Sequence, residues 1–177
     1  MTLEPLTDQT LSEFFAYIDA HLKENGVDGT PLFQPQARSL NGFPEEKRDA
    51  FREGLAISVG APKWRRVWLH RDADGRIAGH IDLRGRPEPF TSHRALLGMG
   101  LVRELRGKGL GLLMIEHVLR WATATNLIEV IDLDVLAHNE PALKLYRKAG
   151  FEFVARVEDM FRIDGNSEAQ ILMTKKL

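Results

Sequence analysis

The 177-residue chain has no cysteine. That absence removes disulfide bonds, thiolate-ligated zinc and cysteine nucleophiles, so any group the protein transfers passes without a cysteine-bound intermediate. Surplus charge is missing too: 24 Lys+Arg stand against 25 Asp+Glu, and a formal net charge of −1 gives no general attraction to nucleic acid. No apolar run approaches the roughly 18 residues of a membrane span, and residues 1–5 lack the basic start and apolar core of a secretory signal. The expectation is a soluble, cytoplasmic protein with neither a nucleic-acid nor a membrane partner. What is present is ordinary for a globular chain, 44% hydrophobic and 28% charged residues. The length suits one domain over residues 1–177 that buries about two-thirds of its unfolded surface.

Leu11, Phe14, Phe15, Ile18 and Leu22 recur at intervals of three and four, with Thr10 or Ser12 to cap them and Asn25-Gly26 to stop them. The spacing predicts a helix over 8–25. Residues 26–35 hold two glycines and two prolines and read as a loop, with Phe33, Gln34 and Gln36 as candidate contacts to a second substrate. Pro44 and the acids after it open a second helix over 44–56, on which Asp49 and Glu53 are possible acceptor-site carboxylates. Alternation in 64–71 and 77–85 around an Asp72–Gly75 turn predicts a hairpin. In its second strand His80, Asp82 and Arg84 share one face and Ile81 and Leu83 the other; a solvent-facing polar row is the simplest expectation.

A strand over 95–102, a helix with the apolar stripe Leu112, Leu113, Ile115, Val118, Leu119 and Ala122, and a strand over 127–136 follow. Asp132 and Asp134 share a face of that last strand. A helix from Asn139 to Ala149, stopped by Gly150, precedes an antiparallel pair over 151–157 and 170–175. The order ααβββαβαββ predicts an α/β (α+β) layer fold with a mixed sheet.

The chemistry-bearing stretch is Arg106-Gly107-Lys108-Gly109-Leu110-Gly111-Leu112, placed between a strand and a helix. A helix start carries unpaired N–H donors and about half a unit of positive charge, so its natural guest is a phosphate. Arg106 and Lys108 add formal charge. The P-loop spacing and the Gly-x-Gly-x-x-Gly dinucleotide pattern both fail here, which argues against ATP and NAD.

This Arg-x-x-Gly-x-Gly resembles the pyrophosphate-binding loop of the GNAT superfamily of acyl-CoA-dependent N-acetyltransferases. A second stretch, Leu133-Asp-Val135 followed by His138-Asn139-Glu-Pro-Ala142-Leu-Lys-Leu145-Tyr146 and Gly150-Phe151, is similar to the other signature of that superfamily. Together they cover residues 95–155. The resemblance implies a GNAT-like fold: a central twisted, mixed and mostly antiparallel sheet flanked by helices, splayed between the strands ending near Val102 and Leu136. Acetyl-CoA would enter that opening as co-substrate, with no metal. The implied contacts are Leu101, Val102, Arg106, Gly107, Lys108, Gly109, Leu110, Gly111, Leu112, Asn139, Ala142 and Tyr146.

Acetyl transfer from a thioester to an amine must deprotonate the amine, stabilise the carbonyl oxygen and neutralise the departing thiolate. An ordinary amine with a pKa of about 10.4 is unprotonated in only about one molecule in 2,500 at pH 7, so a base helps. By resemblance Tyr146 is the general acid, and backbone N–H groups near Leu101 and Val102 meet the carbonyl, an oxyanion-hole logic. Many family members carry a glutamate on the strand before the loop, yet residues 95–102 contain no carboxylate or histidine. The base candidates are therefore Asp134, Asp132 and Asp82, then His80, while Glu104 is expected to pair with Arg103 or Arg106. The implied function is direct transfer in a ternary complex to a primary amine. That acceptor is a small amine such as a polyamine, amino acid or aminoglycoside, or a protein N-terminus or lysine, with loops 26–43 and 85–93 setting selectivity. A non-catalytic acyl-CoA sensor is the alternative, and the chain is expected to be a monomer or homodimer.

Overall fold

The computed structural model describes residues 2–40 and 42–177; Met1, and Asn41 in the 26–43 loop, lie outside the described residues. The elements are β1 (Glu4–Pro5), α1 (Leu11–Lys23), α2 (Glu45–Ala56), β2 (Arg65–Arg71), β3 (Ile77–Gly85), β4 (Arg94–Leu101), α3 (Leu110–Thr125), β5 (Val130–Leu136), α4 (Glu140–Lys148), β6 (Glu152–Ile163) and β7 (Asn166–Lys176). Single 3₁₀ turns occupy Arg38–Leu40 and Arg103–Leu105. The strands form one open seven-stranded sheet in the order β1-β2-β3-β4-β5-β7-β6, antiparallel except where β4 meets β5. The predicted order holds, with two additions. β1 is two residues long, too short for any periodicity to reveal it, and pairs Glu4 with Leu69 and Pro5 with Trp68. β6 runs to Ile163 because two register shifts, between Phe153 and Ala155 and between Val157 and Phe161, carry it past the charged residues that interrupt its alternation.

Side-chain alternation divides the core into two layers. On one face Trp68, Ile81, Leu83, Leu97, Ile131 and Leu133 pack against Met114, Ile115 and Val118 of α3 and Leu143 and Tyr146 of α4. Leu113, expected in that stripe, is exposed, and Met114 fills the contact instead. On the other face Val67, Leu69 and Ile77 meet Phe14, Phe15, Ile18 and Leu22 of α1 and Phe51 of α2. These two helices cover the β3 face expected to meet solvent, so His80 and Asp82 are only 6% and 3% exposed. Among the described residues no helix is long and apolar enough to cross a membrane.

The feature that positions the site lies between β4 and β5. They pair in parallel at Arg94 with Val130, Ala95 with Ile131 and Leu96 with Asp132. Beyond that, β4 stays with β3 as far as Leu101 and β5 stays with β7 as far as Leu136, so a gap opens between them.

Ile115 is fully buried between α3 and the sheet. An Ile115→Ala variant should lose about 2–5 kcal/mol, read as a lower urea midpoint at unchanged slope; an unchanged midpoint would mean that α3 does not anchor this layer.

Candidate active site

A cavity of about 1100 Å³ occupies the gap, lined by Arg106, Gly107, Gly109, Gly111, Leu112, Asn139, Ala142 and Tyr146. Phe33, Gln34, Gln36, Lys47, Arg65, His80, Asp82 and Arg84 line it as well, as do Leu101 and Asp134. Val102, Lys108 and Leu110 do not line it, nor do Asp49 and Glu53. Asp132 belongs to a separate hollow of about 310 Å³ with Arg86, Glu88 and Arg94.

The glycine turn leaves a run of backbone donors without acceptors among the described residues. Gly109 caps α3 with φ 82°, a left-handed conformation that a side chain would strain. Gly111 has another role: a Cβ there would stand 2.9 Å from Leu145 Cδ2, so its bareness lets α3 pack closely on α4. Among the described residues, the backbone N–H groups of 107–111 meet no acceptor, and the first α3 bonds run from Leu112 and Leu113 to the Gly109 carbonyl. A run of unpaired donors at a helix N-terminus fits the pyrophosphate of a CoA molecule. Arg106 is tied back to its own strand, its Nε donating to the Leu101 carbonyl at 2.9 Å, and it pairs with Glu24 at 3.5 Å rather than with Glu104. Arg103 donates to the Asp28 carbonyl.

Register decides which strand amide is available. The Val102 N–H already donates to the Ala78 carbonyl at 3.0 Å, so of the two expected carbonyl contacts it is the spent one. N–H groups alternate in direction along a strand, and that of Leu101 therefore points away from β3, toward the gap. Across the opening Asn139 Oδ1 accepts the Ala142 N–H at 3.3 Å and caps α4. Tyr146 follows on the same helix, its ring edge-on to Phe151 at 6.0 Å. Burial pushes its phenol up to about 12, so at neutral pH it is a protonated hydrogen-bond donor.

The base candidates separate by their partners. Asp82 Oδ2 accepts from Arg65 at 2.8 Å and Arg84 at 3.2 Å. Burial pulls this carboxyl upward, but the two guanidinium groups outweigh it and hold the group below the usual range. Asp132 is treated likewise: burial raises it, while Arg94 at 2.6 and 2.9 Å, Thr174 at 2.8 Å and Arg86 at 3.1 Å bring it down. Asp134 is exposed and meets no ion-pair partner among the described residues.

Sequence patterning did not single out Tyr17 or His21, which join His80 and Phe33 in an aromatic cluster over Gly100. Tyr17 Oη and His80 Nδ1 share a hydrogen bond of 3.2 Å, and the hydroxyl also donates to the Gly100 carbonyl at 3.3 Å. His21 stacks on Phe33 and Tyr17 with ring centroids 4.9 and 5.9 Å away. A histidine on the apolar stripe of the first helix was the available signal. Two β4 glycines make the room: a Cβ on Gly98 would lie 2.5 Å from Asp82 Oδ1, and one on Gly100 would lie 2.6 Å from His21 Nε2 and 2.7 Å from His80 Cε1.

Burial depresses His80 to about 4 and His21 to about 3, so both rings are neutral in the folded protein while the unfolded chain takes up protons from about pH 6.5 downward. Their stabilising contribution is complete above about pH 6.5 and is lost as pH falls toward 4 for His80 and 3 for His21. Each ring should cost at most about 1.4 kcal/mol per pH unit across that window. Urea titrations at pH 7, 6, 5 and 4 should show the midpoint falling, with a shallower fall for His80→Gln; equal slopes in parent and variant would remove His80 from this account.

Residues 32–151 match the acetyltransferase (GNAT) family. Among curated relatives, the L-amino acid N-acetyltransferase AaaT of Escherichia coli (strain K12) is 28% identical over 79 residues, 45% of this chain and 49% of AaaT, so the match spans about half of that relative. The uncharacterized N-acetyltransferase YycN of Bacillus subtilis (strain 168) is 23% identical over 175 residues, 99% of this chain and 97% of YycN. The fold is that of the crystal structure of a GNAT-family acetyltransferase from Streptococcus pneumoniae, with a TM-score of 0.78 over 99% of both chains at 23% identity. With the family match running from the first loop through the glycine turn to the end of α4, the chain belongs to the acetyltransferase (GNAT) family.

Proposed function

We propose that the protein transfers the acetyl group of acetyl-CoA directly to the nitrogen of a small primary amine while both substrates are bound. The observation that carries this reading is the run of N–H groups of residues 107–111 with no acceptor among the described residues, on a turn whose Gly107, Gly109 and Gly111 border the same cavity as Tyr146. The turn holds the pyrophosphate, and the gap admits the pantetheine arm between Leu101 and the start of α4. The Leu101 N–H stabilises the carbonyl oxygen as charge builds on it. A C–N bond forms, the C–S bond breaks, and the Tyr146 hydroxyl supplies the proton to the sulfur.

The amine proton leaves through Asp134 or a water beside it. Asp82 and Asp132 are each bound to two arginines, which leaves Asp134 as the candidate carboxylate not already committed to a cation. Phe33, Gln34 and Gln36 of the first loop line the cavity and offer one aromatic and two amide contacts to a small acceptor.

Thermal unfolding with acetyl-CoA, CoA, ATP and NAD in separate samples tests the cofactor. At about 100 times its dissociation constant a ligand stabilises the native state by about 2.7 kcal/mol, and only the two CoA species should do so. Tyr146→Phe should then lower turnover about 10²- to 10⁴-fold while keeping that stabilisation. No shift with either CoA species overturns the proposal, and CoA binding without turnover of any amine would identify a sensor instead.

A further inference from the structure

The acceptor end of the cavity carries a charge imbalance that simple amine transfer leaves unexplained. Lys47, Arg65 and Arg84 line it against the two carboxylates of Asp82 and Asp134, and Asp82 is already held by both arginines. His21 and His80 add no charge, since burial keeps both rings neutral. Both arginines address the same Asp82 oxygen, through one NH1 each, and a guanidinium has five N–H donors. Arg65 is buried, its side chain 14% exposed, and its guanidinium carbon sits 3.7 Å from the centroid of the Phe51 ring. Arg84 is 34% exposed, and Asp82 is its only acceptor among the described residues. The remaining edge of its fork is available to the cavity.

We infer that the acceptor carries a carboxylate close to its reacting nitrogen, as an α-amino acid does, and that Arg84 binds that carboxylate with Arg65 and Lys47 supplying the surrounding positive field. This rests on the acetyl-transfer reading and names its substrate class.

The spacing along β4 supports it. A Cβ on Gly98 would stand 3.0 Å from Arg84 Nη1, so the guanidinium lies over Gly98. Gly100, with His21 and His80 above it, is about 7 Å further along the strand, and Leu101 follows directly. A carboxylate about 3 Å from Arg84 therefore leaves an adjacent amino group toward the part of the cavity that His21, His80, Gly100 and Leu101 line, near the amide assigned to the acetyl carbonyl. A polyamine or aminoglycoside would bring extra ammonium groups against unmatched cations, a like-charge juxtaposition that costs affinity. Arginine matches a carboxylate in two parallel hydrogen bonds, which a lysine point charge does not reproduce.

The test measures CoA release by the full chain with L-amino acids, the same amino acids as carboxamides, and spermidine. The free acids should exceed their amides by about 10- to 100-fold in kcat/KM, with the difference in KM. This comparison needs no variant, so folding of a mutant does not decide it. In Arg84→Met the ratio of acid to amide should collapse toward one, with KM for acetyl-CoA unchanged. Equal or better turnover of amides or spermidine by the parent overturns the inference alone, as does an Arg84→Met effect confined to KM for acetyl-CoA. Release from no amine at all overturns the acetyl-transfer reading, and this inference with it.

Discussion

Two neighbouring strands that stop pairing hold this structure together functionally. β4 and β5 share three residue pairs and then part, each keeping the partner on its other side. A parallel ladder abandoned midway leaves backbone groups that must find other partners. The Leu101 carbonyl takes the Arg106 side chain at 2.9 Å, which also fixes the start of the glycine turn. The neighbouring amide is left facing the gap. Because α3 begins at the mouth of that gap and α4 faces it from β5, one divergence brings a strand amide, a helix N-terminus and Tyr146 to a common cavity. The whole proposed reaction depends on that parting being held open from both sides.

β4 lines the cavity with Leu97 to Leu101 and gives it no polar side chain there. Glycine weakens a strand and is kept where something must approach closely, and at positions 98 and 100 that something is a set of polar groups from β3 and α1. The acceptor side is thus furnished by neighbouring elements lying over a bare strand. Asp82 and Asp132 form two separate charged islands on this face of the sheet, each a carboxylate matched to two guanidinium groups. Buried ion pairs contribute little net stability once desolvation is counted. Only the Asp82 island borders the large cavity, and the Arg84 edge not committed to Asp82 is the part that the inferred acceptor carboxylate would meet.

The legible parts of the sequence were those whose geometry is local. Gly109 as a left-handed cap, Asn139 as the cap of α4 and Gly150 with φ 83° after it follow from one residue and its immediate neighbours, and they carry the family resemblance. Period-two alternation correctly grouped His80, Asp82 and Arg84 on one face, but it carries no information about what covers that face; α1 and α2 do, and the row is buried. Asp132 and Asp134 looked equivalent by the same rule. They differ because Asp132 sits at the last paired position, opposite Leu96, where Arg86 and Arg94 reach it, whereas Asp134 lies beyond the parting. Which of Leu101 and Val102 keeps a usable N–H was likewise a matter of register against β3, fixed by residues more than twenty positions earlier in the chain.

The acidity of Tyr146 tests whether burial is compatible with its proposed role. At about 12 the phenol is a weaker acid than an ordinary thiol at about 8.5. Handing a proton to a solvated thiolate would then be uphill by about 5 kcal/mol. In the proposed reaction, however, the thiolate forms in the cavity that Tyr146 borders, rather than in bulk water. Desolvation disfavours the charged form of either group, so the burial that raises the phenol also raises the sulfur as the C–S bond opens. In the proposed reaction, leaving group and acid are brought closer in acidity because they share one environment. A tyrosine moved out into water would keep its ordinary acidity and lose that correspondence, since the proposed thiolate would still form in the gap that the divergence of β4 and β5 creates.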